Sequence, residues 1–144
     1  MAKKGTYSPS RQMAAFRRLS DAHYISEMAF KKGWKGTYSW NFRMGEMTFS
    51  YNEERLDLDF RSYRVKMVYA VTSAPKIFLI EPILPKTTKH LYRDGSLCLY
   101  KSANWQWQND MKFDEALFPD ICTWLYHYEV WCDTGNWYGE EAPH

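Results

Sequence analysis

HLYRDGSLCLY, residues 90–100, is the stretch on which the reading of this chain turns. It carries one cysteine, Cys98, between Leu97 and Leu99 and just past an Asp94-Gly95 turn. Asp before Gly is a strong local turn signal, because the carboxylate bonds its own backbone and the glycine accepts left-handed torsions. Two roles fit the cysteine locally. In one it is a structural thiol in a buried alternating strand, where free cysteines commonly sit. In the other it is a nucleophile held up at a loop. The local sequence leaves both open.

Outward from Cys98, residues 81–110 (EPILPKTTKHLYRDGSLCLYKSANWQWQND) have no clear period and contain two prolines. Such a length is more than a connection needs, and long segments inside compact domains tend to be functional or disordered. The Leu, Tyr and Trp content argues against disorder. Upstream lies antiparallel strand material. Aromatics run from Tyr38 to Asn52 with a turn at Gly45, YRVKMVYAV (Tyr63 to Val71) alternates Val65, Met67 and Tyr69 against Arg64, Lys66 and Val68, and KIFLI follows Ser73-Ala74-Pro75. The expectation is a meander of about four strands with one face against a helix. Downstream, Phe113, Leu117, Ile121, Trp124, Tyr128 and Trp131 make one apolar helical stripe, with the regular helix beginning near Pro119 after a looser turn. At the other end a first helix is expected from an N-cap at Ser8 and Pro9 to a stop at Gly33. Phe16, His23 and Phe30 recur every seven residues with Leu19 on the same stripe, so His23 reads as a hydrogen-bonded histidine at the core edge.

Composition bounds the rest. A chain of 144 residues, 45% hydrophobic and with a formal charge of +2, suits one domain over residues 1–144 with a proper core. Seven Trp, eleven Tyr and eight Phe exceed what one small core readily hides, so some rings are expected to line a site or an interface, such as a homodimer. Three cysteines cannot all pair, and no leader with a cleavage site is read, so a reduced cytoplasmic protein is expected. No run approaches the roughly 18 apolar residues of a membrane helix, and the expectation is no membrane partner. Excess positive charge lies mainly in the first 35 residues and reads as a solvated helix face. Nothing looks like a base-reading motif, so no nucleic-acid partner is expected. No metal or other cofactor is expected either. Cys122 and Cys132 read as structural or incidental, with Cys122 opposite the apolar stripe and Cys132 at its edge. A zinc site from Cys122, His127 and Cys132 fails because spacings of five do not bring ligands to one helix face. Trp105 and Trp107 read as loop anchors.

The order of helix, strand meander, long loop with one cysteine and helix resembles the ubiquitin-conjugating-enzyme fold. That family's catalytic cysteine lies on an extended loop after the fourth strand and before the central helix. DGSLCL matches its glycine and cysteine core, with Gly95 three positions before Cys98, and Trp105 seven positions after stands near the family's tryptophan. PKIFLIEPILP resembles its last strand with adjoining prolines. The His-Pro-Asn tripeptide is absent. His90 stands eight residues before the cysteine, at the place of the family's Asn, and Tyr100 replaces the usual acidic residue. This H…DG.LCL arrangement is closer to divergent bacterial members, and the WL.HYE.W..TGNW.GEE..H close resembles bacterial relatives from CBASS antiphage operons, beside a cGAS-like nucleotidyltransferase.

The resemblance implies an α+β fold of N-terminal helix, four-stranded antiparallel meander, active-site loop, central helix and shortened C-terminus. It also implies a standalone acyl carrier, with Cys98 as the nucleophile. His90 would take the Asn's part, donating to the oxyanion and accepting a proton from the attacking amine. Asp94 or Asn104 would orient the incoming nucleophile. The carried group would be the C-terminus of the partner nucleotidyltransferase, whose conjugation primes it for antiphage signalling. With no activating domain read in these residues, the thioester would come from an activating enzyme in trans or from the cyclase itself. Such chemistry needs an accessible thiol without strong acidification, since a low thiol pKa also makes a better leaving group. No lysine or arginine lies nearer Cys98 in sequence than Lys101 and Arg93. The competing class is a non-catalytic binding scaffold of the same fold. A cysteine hydrolase pairing Cys98 with His90 or His127 has no evident orienting third member.

Overall fold

The computed structural model describes residues 9–51, 53–60, 62–70, 73–99, 107–108 and 110–137. Helix α1 spans Pro9–Asp21, followed by strands β1 (Ser26–Lys32), β2 (Thr37–Met44), β3 (Met47–Tyr51), β4 (Glu54–Leu58), β5 (Tyr63–Ala70) and β6 (Ser73–Glu81). A short helix α2 (Phe113–Ala116) then leads into α3 (Phe118–Thr134). Strands β1, β2, β5 and β6 form an antiparallel sheet in that order, and β3 with β4 makes a separate hairpin.

The first helix is shorter than its spacing predicts, and the reason is local. His23 adopts a left-handed φ of 66°. The Tyr24 N–H donates to the Leu19 carbonyl at 3.0 Å, and the His23 N–H to that of Ser20 at 3.0 Å. Those two bonds are the Schellman pair that closes a helix. The terminating residue is usually glycine or asparagine, so a histidine gave no stop signal. His23 is therefore an exposed helix terminator and not a core-edge residue. Phe30 belongs to β1, where it packs on Trp40 at 4.9 Å between ring centres. The seven-residue recurrence that linked it to Phe16 has no helical meaning. The expected N-cap, Ser8, lies outside the described residues.

The meander has the expected four strands with different membership. β1 supplies an edge, while β3 leaves the sheet to pair with β4. β5 shows the alternation read from its sequence: Tyr63, Val65, Met67 and Tyr69 are buried and the residues between them only partly so. Across it, β2 turns Trp40, Phe42 and Met44 to the same core. Phe16 of α1 joins the layers, stacked on Trp40 at 5.1 Å and on Phe113 at 4.2 Å. Beside it Gln12, fully buried, donates through Nε2 to the Met111 carbonyl and accepts from the Phe113 N–H, both at 2.8 Å. One side chain thus satisfies the backbone on either side of Lys112, where α2 begins. Truncating it leaves a buried donor and acceptor without partners, so Gln12→Ala costs about 2 kcal/mol. Urea unfolding reads this as a lower midpoint at unchanged slope.

The break before Pro119 is as expected. α2 ends at Ala116 with Leu117 as its C-cap, and α3 starts with Pro119 in its first turn, where a missing N–H costs nothing. Its burial is a correction. Cys122, expected opposite the apolar face, is 1% exposed, with Sγ 4.0 Å from Met47 Sδ. The β3–β4 hairpin covers this second face, and burial pushes the Cys122 thiol up to about 12. Lower on α3, Glu129 accepts from the Asp59 and Phe60 N–H groups at 2.8 and 3.0 Å and from the Tyr63 hydroxyl. That carboxylate ties the helix to the chain between β4 and β5.

Candidate active site

The segment after β6 is built around the Asp-Gly turn. Leu91 and Leu97 pair as an antiparallel bridge. The Tyr92 N–H donates to the Ser96 carbonyl at 2.8 Å and the Gly95 N–H to that of Tyr92 at 2.9 Å. Gly95 sits at φ +89°, a torsion that side chains resist. Asp94 holds the turn through both oxygens. Oδ1 accepts from the Ser96 N–H and hydroxyl at 2.9 and 2.6 Å, and Oδ2 pairs with Lys76 Nζ at 2.7 Å. These bonds, that from Lys76 foremost, hold its carboxyl well below the usual carboxylate range. The hairpin is docked on the sheet edge through the Leu97 N–H, 2.8 Å from the Ile77 carbonyl of β6.

This pairing decides which way Cys98 points. Directly opposed residues of an antiparallel pair share a face, and alternate residues of one strand share it too. With Leu91 opposite Leu97, His90 falls opposite Cys98 and Tyr92 opposite Ser96. Leu91, Leu97 and Leu99 pack in or against the main hydrophobic cluster, and Cys98 is buried beside that cluster without joining it. Cys98 is buried, at 6% exposure, where an accessible thiol was expected. Burial pushes its thiol up, and a hydrogen bond from the Tyr92 side chain opposes that rise.

His90 is fixed from two sides. Its carbonyl accepts from the Cys98 N–H at 2.9 Å and from Trp124 Nε1 of α3 at 3.1 Å, so both lone pairs are used. Its backbone is left-handed, φ 61°, and its ring is buried against Trp137 at 4.6 Å. Trp137 reaches this place because Gly135, at φ +80°, ends α3 and turns the chain back. It also meets Trp124 edge-on at 5.2 Å. Part of the aromatic excess therefore packs around the segment that carries Cys98. Trp107 is a loop anchor as expected, half-buried on the core and edge-on to Tyr69 at 6.4 Å. Asn104 and Trp105 lie outside the described residues, as do Tyr100, Lys101 and the terminal His144.

A thiol on a folded hairpin between a last strand and a long buried helix, with a histidine opposite, is the arrangement in which family membership has most to say. A model of the type II CBASS E2 protein family matches residues 27–144. The chain belongs to that family. No curated protein matches it. Membership in the type II CBASS E2 family implies a ubiquitin-conjugating-like fold and association with a CBASS cyclase operon. The α+β order of helix, antiparallel sheet, hairpin and long helix agrees with that fold. Among the described residues, no helix is long and apolar enough to cross a membrane, and no group of three or more His, Cys, Asp or Glu residues could hold a metal ion.

Two residues around Cys98 and His90 escaped the sequence reading. Tyr92 was legible: counting by twos back across the Asp-Gly turn from Cys98 puts Tyr92 and His90 on its face. Trp137 had no such signal, because its position depends on how the chain leaves α3.

Proposed function

We propose that the chain is a conjugating enzyme that carries a protein C-terminus as a thioester on Cys98 and passes it to an amine. The carried protein in this reading is the cGAS-like nucleotidyltransferase of its operon, and the conjugate serves antiphage defence. One observation carries the reading: in a member of the type II CBASS E2 family, Cys98 lies on the hairpin face away from the core leucines, opposite His90. A cysteine serving only packing would be expected on the face of the leucines.

The roles follow from chemistry. Cys98 sulfur exchanges with an activated acyl group, and its raised pKa suits a carrier, since a poor leaving group makes a long-lived thioester. The His90 imidazole donates to the oxyanion of the tetrahedral intermediate and takes the proton of the attacking amine. Asp94 supports the site by holding the turn, its oxygens already engaged by Lys76 and Ser96. Asn104 is the other supporting group. The thioester comes by exchange from an activating enzyme in trans or from the cyclase.

Intact mass spectrometry without reductant, on the protein co-expressed with its genomic neighbours, tests this. The expected spectrum shows a covalent adduct that falls away with added thiol, and its mass names the cargo. Co-purification of a neighbour with no adduct would instead support a docking scaffold.

A further inference from the structure

We propose that Tyr92 is a further catalytic residue, its hydroxyl donating to the Cys98 sulfur as that sulfur becomes the leaving group in acyl transfer. The inference rests on the conjugating reading. Its geometric basis is the hairpin: the Leu91–Leu97 bridge and the Tyr92 N–H to Ser96 carbonyl bond put Tyr92 diagonally across from Cys98 on one face. Diagonal neighbours in an antiparallel pair are within reach of an aromatic side chain. The Tyr92 side chain does hydrogen-bond the Cys98 sulfur. His90 stands directly opposite Cys98 in that register, so in this proposal the sulfur and the reacting carbonyl have different donors.

The step balances as follows. The amine lone pair forms a C–N bond to the thioester carbon, and His90 takes the proton from nitrogen. The oxyanion collapses, the C–S bond breaks, and its electron pair goes to the Cys98 sulfur. That sulfur accepts the Tyr92 hydrogen bond and is then protonated from solvent, leaving an amide and a free thiol. A hydrogen bond to a thiolate is stronger than one to a thioester sulfur, so the hydroxyl favours the departing state over the loaded one.

Tyr92→Phe removes the hydroxyl and keeps the ring. The full chain is loaded with the mercaptoethanesulfonate thioester of acetylglycine, a small acyl donor that needs no partner, and discharged with free lysine. Label is read on the Cys98 peptide. Discharge is expected to slow about tenfold in Tyr92→Phe. The pH midpoint for iodoacetamide alkylation of unloaded Cys98 is expected to rise by about one unit, a change that a packing role would not produce. An unchanged midpoint, or an unchanged discharge rate, overturns the inference. Wild-type Cys98 that is alkylated yet takes no acyl group overturns the conjugating reading itself.

Discussion

Cys98→Ala is expected to abolish the proposed thiol-labile adduct and to leave the fold standing. In the proposed reaction the sulfur is the atom that bonds the acyl group, so removing it is expected to remove the adduct. Truncation at a covered position outside the core cluster costs about 1 kcal/mol or less. The Cys98 N–H that holds the His90 carbonyl is retained by alanine. Intact mass of the co-expressed variant, with and without thiol, checks the chemistry, and thermal unfolding checks the fold. An adduct that persists at undiminished yield would mean that another group carries the cargo. Exposed Cys132 would then be the thiol to test, since Cys122 is buried under Met47.

His90→Ala separates loading from transfer. The loaded adduct is expected to form and then to discharge to an amine about a hundredfold more slowly, the magnitude of losing one preorganised oxyanion donor. Alanine keeps the backbone carbonyl, so the bonds to Cys98 and Trp124 survive. It does pay for the left-handed torsion at this position, about 1 kcal/mol. His90→Asn resolves the two roles assigned to the imidazole. Asparagine tolerates that torsion and still donates, and it cannot accept a proton at neutral pH. Most of the rate is expected to return with Asn if donation dominates, together with loss of the acidic limb of the pH–rate profile. Single-turnover loss of the adduct mass measures all three proteins. Discharge of His90→Ala at the wild-type rate would remove His90 from the mechanism.

Much of the architecture was legible because it is encoded in short-range patterns. The two-residue alternation of β5 states which face is buried, Pro119 states where α3 can begin, and Asp94-Gly95 states a turn regardless of what surrounds it. The end of α1 was not legible, because it is closed by a histidine in a conformation usually left to glycine. β1 was hidden with it, since Phe30 fell by chance at a helical interval from Phe16. The second buried face of α3 was missed for a different reason. Periodicity shows one apolar stripe, whereas the cover over Cys122 comes from a hairpin about seventy residues earlier in the chain.

At the site the division is sharper. From sequence alone came the cysteine, the histidine eight residues before it, the turn between them and the lack of any lysine or arginine nearer in sequence than Lys101 and Arg93. Whether that thiol belongs to the core or to a site was equal either way in LCLY, because alternation distinguishes two faces without saying which is buried. The docking of Leu97 on β6 and of the His90 carbonyl on Trp124 sends the leucines into the core cluster and sets Cys98 across the hairpin from His90. Trp137 over His90 was decided by the turn at Gly135. Local chemistry is written in neighbouring residues, but the choice of face is made by whatever distant element covers one side, and only the tertiary structure holds that.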